Sequence, residues 1–127
     1  MPVFDPQHNA QAFAARLADA PDTVVIACYC AAWCRSCTDY QPDFEALADK
    51  WPQYTFAWID IEENPEFLDD EDVDNFPTLL IQDHRGNVFF GALLPYISHL
   101  EQLLARYNPE GPRIAGGPGP LAGLAHG

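Results

Sequence analysis

Four cysteines fall within ten residues, Cys28-Tyr-Cys-Ala-Ala-Trp-Cys-Arg-Ser-Cys37. Cysteines that staple a small secreted fold are spread along the chain to join distant loops, so this clustering points to local sulfur chemistry instead. Cys34 and Cys37, two residues apart, can share one turn at a helix start, close enough for a reversible disulfide. Free amides and the macrodipole at such a terminus favour a thiolate. Cys34 would stand at the terminus as nucleophile, and Cys37, one turn inside, would resolve the mixed disulfide by attacking Cys34. The same spacing also opens half a zinc site, which Cys28 and Cys30 could complete as C-x-C-x3-C-x2-C. That alternative needs flexible knuckles, whereas Cys28 and Cys30 lie in an apolar run. Cys28 reads as a small core hydrophobe. Cys30 is either inert or a third thiol near the site that can be oxidised.

The elements around the cysteines are those that would position them. Thr23 to Cys30 is a short, partly β-branched apolar run, the pattern of a strand covered on both faces, which implies helices on either side of its sheet. From Cys34 onward Tyr40, Phe44, Leu47 and Trp51 recur at helical spacing, with Pro42 inside the pattern. Upstream, Asp5-Pro6 pairs an N-cap acceptor with a first-turn proline, opening a helix that ends near Asp19. Downstream, Tyr54 to Ile61 reads as a second strand and Asn64-Pro65 starts a short acidic helix. Phe76 to Ile81 and Val88 to Gly91, joined through Gly86, form an antiparallel hairpin. Ser98-His-Leu-Glu101 has the spacing of a capping box before a last helix with Leu100, Leu104 and Tyr107 inward. Pro109 to Gly127 is Gly-, Pro- and Ala-rich and without periodicity. It is expected to be a flexible, non-catalytic tail.

Trp33-Cys34-Arg35-Ser36-Cys37, the helix proline Pro42 five residues later, Asn64-Pro65 and Phe76-Pro77-Thr78 stand in one register that resembles the thioredoxin family, from about Val3 to Tyr107. The resemblance implies a thioredoxin-like α/β fold, a central mixed sheet of four to five strands flanked by helices on both faces, over residues 1–108 with the tail at 109–127. It implies a cis proline at Pro77 beside the cysteines, an incoming peptide pairing with the backbone of Phe76, a groove closed by Gly91, and Trp33 shielding the site and touching substrate. Three positions depart from the family pattern. Cys28 replaces a buried aspartate six residues before the first cysteine, and Trp58 replaces its lysine partner. A buried ion pair exchanged for apolar groups can be neutral or stabilising, but the proton of Cys37 then lacks its usual acceptor, leaving water or Asp60 as the alternative base. Arg35-Ser36 stands in place of Gly-Pro. Its fixed positive charge favours the thiolate, which makes the pair a weaker reductant than typical thioredoxins.

The expected function is therefore thiol–disulfide exchange with protein disulfides as an enzyme of cell redox homeostasis and electron transport. Electrons would come from a donor such as a thioredoxin reductase or a glutathione system. The competing reading is a non-catalytic binding module on the same fold, or the zinc site named above. No cofactor is expected. The chain's 127 residues match one domain, and 48% of them are hydrophobic, enough to close a core. With 19 acidic residues, six basic ones and a formal charge of −13, neither nucleic acid nor an anionic membrane is an expected partner. The longest apolar run, Thr23 to Trp33, falls short of a membrane span, and Met1 to Asp5 lacks the features of a secretory leader. A cytoplasmic monomer is expected. His8, His84, His99 and His126 have no ligand spacing, and the nine acidic residues from Asp60 to Asp74 read as a solvated face without an EF-hand pattern.

Overall fold

The structure, a computed structural model, describes residues 3–69, 71–73 and 75–124; His126, and Asp70 and Asp74 of the acidic run, lie outside them. Strands β1 (Val3–Phe4), β2 (Val25–Cys30), β3 (Thr55–Asp60), β4 (Thr78–Asp83) and β5 (Gly86–Ala92) form one mixed sheet in the order β1-β3-β2-β4-β5. β1 and β2 both run parallel to β3, while β4 runs antiparallel to both β2 and β5. The sheet is thus the expected mixed one, and its edge strand β1, too short to show a period, is an addition to the strands read from the sequence. Among the described residues no helix is long and apolar enough to cross a membrane.

Strand alternation divides the core into two layers. All six residues of β2 are buried. Ile26, Cys28 and Cys30 face helix α2 (Arg35–Lys50) and helix α3 (Ile97–Ala105), packing with Tyr40, Phe44, Leu100 and Leu104. Val25, Ala27 and Tyr29 face the other way, toward Phe13 and Leu17 of helix α1 (Pro6–Asp19) and Phe67 of the 3₁₀ helix Pro65–Leu68. The Asp5 side chain caps α1 by accepting from the Gln7 amide at 2.9 Å. α2 continues through Pro42, which has no amide to offer the carbonyl four residues back.

Two expectations are corrected. The Ser98/Glu101 capping box does not form, because α3 is capped at Tyr96 without a side-chain bond and Ser98 is already its second helical residue. Ile97 packs against the core and holds the first helical position instead. Residues 109–124, expected as a flexible tail, lie against the sheet. Leu121, in helix α4 (Leu121–Leu124), is fully buried with Phe13, Phe67 and Leu80. Asn87 Nδ2 donates to the carbonyls of Gly116 and Pro118 at 2.9 and 2.8 Å, and Gln82 Nε2 donates to that of Gly119 at 3.0 Å. Gly117 has φ +91°, and a Cβ there would stand 2.7 Å from Asn87 Nδ2, so the close approach requires glycine. The composition that suggests disorder here serves tight backbone packing on two buried amide side chains.

Candidate active site

The site is built where the end of β2 meets the start of α2. After Cys30 the chain turns through Ala31 to Trp33, the Cys34 amide donating to the Ala31 carbonyl at 3.0 Å. Cys34 is the N-cap of α2, in extended backbone with φ −85° and ψ 116°, and Thr38 makes the first helical bond back to its carbonyl at 3.2 Å. Cys37, in the first turn, faces inward and is 2% exposed. Period-two alternation turns Cys28 and Cys30 to the same face of the sheet, under that turn.

The disulfide joins Cys30 to Cys37, with their Cα atoms 5.9 Å apart, within the usual range for a disulfide. The sequence reading pairs Cys37 with Cys34 and leaves the role of Cys30 open; here Cys34 is free and half-exposed. Cys30 is the last residue of β2 and lies directly beneath the inward-facing Cys37, which accounts for the pairing. Cys28 Sγ is 3.6 Å from Cys30 Sγ. A disulfide sulfur carries no hydrogen, so the Cys28 thiol donates in this contact. Burial pushes the Cys28 thiol well above its ordinary value. The four sulfurs therefore form one series from the surface inward: Cys34, Cys37, Cys30, Cys28.

Trp58 is paired across β2 and β3 with Cys28 and packs against Phe44, with ring centroids 5.7 Å apart. The floor of the site is aromatic and thiol in character, with no ion pair between positions 28 and 58. A cleft of about 270 Å³ reaches Cys30 and Cys37 past Trp58, Gln41, Thr38 and Asp60. The Asp60 carboxylate accepts from the amides of Glu62 and Glu63 at 2.9 and 3.3 Å. Among the described residues no group of three or more His, Cys, Asp and Glu side chains is placed to hold a metal ion, and two sulfurs of the alternative zinc set are joined to each other.

On the outer side, Trp33 is 69% exposed and stands edge-on to Phe76, with ring centroids 5.6 Å apart. The Phe76–Pro77 peptide bond is cis, and Thr78 Oγ1 donates to the Asn75 carbonyl at 2.6 Å. Arg35 is exposed and Ser36 half-buried at the start of α2. Gly91 lies opposite Leu79 in β5, where an added Cβ would meet Phe89 at 3.6 Å, an ordinary contact. Trp33 thus meets Phe76, and Phe76 and Cys34 pack against the core layer that holds the other three cysteines, while no close approach at Gly91 requires glycine. The residue whose role the sequence left undecided is Cys30. Its signal was the two-residue offset from Cys28 that places both thiols on the α2 face.

The mixed sheet with helices on both faces, and a cysteine pair at the junction of a central strand and a helix, define a thioredoxin-like α/β fold. The thioredoxin family model matches residues 5–90, and the chain belongs to that family. It is 32% identical over 62 residues to a thioredoxin of Geodia cydonium, covering 49% of this chain and 58% of that protein. It is likewise 32% identical over 70 residues to the thioredoxin of Mus musculus, covering 55% of this chain and 67% of that protein. Among solved structures, Fasciola hepatica thioredoxin superposes with a TM-score of 0.68 at 22% identity, over 85% of this chain and all of that one. Thioredoxin f from spinach chloroplast, short form, gives 0.64 at 24% identity, over 81% and 91%. At these identities the superpositions establish the fold.

Proposed function

We propose that the chain is a protein thiol–disulfide oxidoreductase in which Cys34 is the nucleophile and Cys37 the resolving thiol. The observation that carries this reading is the contrast in access among four clustered sulfurs. Cys34 is half-exposed at a helix N-terminus, while Cys28, Cys30 and Cys37 are at most 2% exposed. A protein disulfide can therefore reach Cys34. The Cys34 thiolate attacks one substrate sulfur and expels the other, and Cys37 then attacks Cys34 to release the remaining substrate thiol. Trp33 and Phe76 offer aromatic surface beside that sulfur, and the backbone around Phe76 is the place for an extended peptide to pair. Arg35 follows Cys34 directly and puts a fixed positive charge where typical thioredoxins have a glycine, and on this reading the dithiol is a weaker reductant than theirs. Electrons are supplied by a reductase or a glutathione system. Insulin reduction with dithiothreitol tests the reading: Cys34→Ser is expected to abolish it. A Cys34→Ser protein that reduces insulin as fast as the parent would overturn the assignment.

A further inference from the structure

The exchange cycle proposed above uses two sulfurs, yet the structure holds its disulfide between Cys37 and a third. Resting on that reading, we infer that Cys30 is a third redox thiol that takes over the disulfide from Cys34, so that the oxidised protein keeps a free nucleophile at its surface and can rearrange substrate disulfides. Cys34 and Cys37 are neighbours on the first turn of α2, and Cys30 lies beneath Cys37 at bonding distance. Cys37 is the sulfur shared by both pairings.

The step balances without an added oxidant. The Cys30 thiolate attacks the Cys37 sulfur of a Cys34–Cys37 disulfide. The Cys30–Cys37 bond forms, the Cys34–Cys37 bond breaks, and its electron pair leaves on Cys34 as a thiolate. The proton of Cys30 departs through the polar cleft that reaches Cys30 and Cys37 past Gln41 and Asp60. No net oxidation occurs, because one disulfide replaces another. In the reverse step Cys30 leaves as a thiolate, and the Cys28 thiol at 3.6 Å is placed to donate a hydrogen bond to it. Cys28 is thus a positioning residue for the inner pair, occupying the site where a carboxylate would have served the outer one.

The chemical consequence lies in what Cys34 can then do. With Cys37 already bonded to Cys30, a mixed disulfide between Cys34 and a substrate is not resolved from within the protein. The substrate thiol released in the attack, or another thiol of the same substrate, must displace Cys34. The substrate then leaves with its disulfides rearranged and its oxidation state unchanged. The inner pair is also shielded, at 1% and 2% exposure, from the thiols that would reduce it. The oxidised form is accordingly an isomerase-type catalyst, and the reduced form a reductant.

Thiol mapping on the full chain tests this directly. The reduced protein is oxidised with a stoichiometric amount of diamide, treated while folded with iodoacetamide, then unfolded under mildly acidic conditions and blocked with N-ethylmaleimide. Trypsin cuts between Arg35 and Ser36 and separates Cys34 from Cys37. The expected map has the acetamide on Cys34, the maleimide on Cys28, and Cys30 linked to Cys37. A Cys34–Cys37 link with the maleimide on Cys30 overturns the proposal. In a second arm the oxidised protein, without added thiol, is mixed with scrambled ribonuclease. Reactivation is expected with the parent and is lost in Cys30→Ser and in Cys30→Ala, where Cys34 stays locked in the outer disulfide. Equal reactivation by parent and variants also overturns it. Insulin reduction by the parent, run in parallel, separates the two readings: a parent that reduces insulin but yields the Cys34–Cys37 link refutes only the shift.

Discussion

Cys28 occupies a position where an ionised group would have no counterpart. It is fully buried, its neighbour across the sheet is Trp58, and burial already holds its thiol in the neutral form at physiological pH. Placing a carboxylate there alone strands a charge, at a cost of about 3–5 kcal/mol. Cys28→Asp is therefore expected to lower unfolding free energy by that order in urea titrations. Trp58→Lys, which supplies the missing cation on the adjacent strand, should return part of the loss when combined with it. The check is a double-mutant cycle: losses that simply add would show that positions 28 and 58 do not share one pocket. At this scale the sequence disclosed the sulfur cluster and the inward and outward placement of Cys37 and Cys34. It paired Cys37 with Cys34 and left only the role of Cys30 open, because a choice between two disulfides depends on where the loop from Ala31 to Trp33 sets α2 over the end of β2.

Among the elements, the β4–β5 hairpin carries a load that its short turn does not suggest. Asp83, at the end of β4, accepts from the Arg113 guanidinium, from the Tyr107 hydroxyl at 2.6 Å and from the Arg85 amide at 3.0 Å. Burial alone would raise its carboxyl, but these donors outweigh it and bring the group down to about 2. Burial, and after it the same contact, push the Tyr107 hydroxyl up to about 12. A carboxylate whose folded value is depressed contributes its stability above its ordinary value and loses it as pH falls through the folded one. The contribution, about 2–3 kcal/mol, is then present above pH 4 and disappears toward pH 2. Thermal melts of the parent should fall across that window, and Asp83→Asn should flatten the fall while lowering stability at neutral pH. An unchanged acid profile in the variant would remove Asp83 from this role. Elements with strong periodicity, α2 and β2 above all, were legible in the sequence. The misread ones, the start of α3 and the segment after Pro109, are set by tertiary contacts: Ile97 on the core, and the bonds of Asn87, Gln82 and Asp83 to residues more than twenty positions later.

For the molecule as a whole, the sheet separates two tasks. One face, with α2 and α3, holds the sulfur series; the other, with α1, the 3₁₀ helix and α4, closes a core that contains no cysteine. Leu121 plugs that second core and anchors the returning chain, helped by its amide donating to Gln82 Oε1 at 3.0 Å and by the Gly119 amide donating to Asp69 Oδ2 at 3.1 Å. Removing a fully buried leucine side chain costs the transfer of its methyl groups plus the cavity left behind, about 2–5 kcal/mol. Leu121→Ala should accordingly lower stability by that amount in chemical denaturation. The alkylation rate of Cys34 in the folded, reduced protein should stay at the parent value, because α2 and its N-cap lie across the sheet from the new cavity. A neutral Leu121→Ala would mean that the segment after Pro109 adds nothing to the core. A stability loss accompanied by a changed Cys34 rate would mean that the two faces are coupled through β2, whose residues alternate between them.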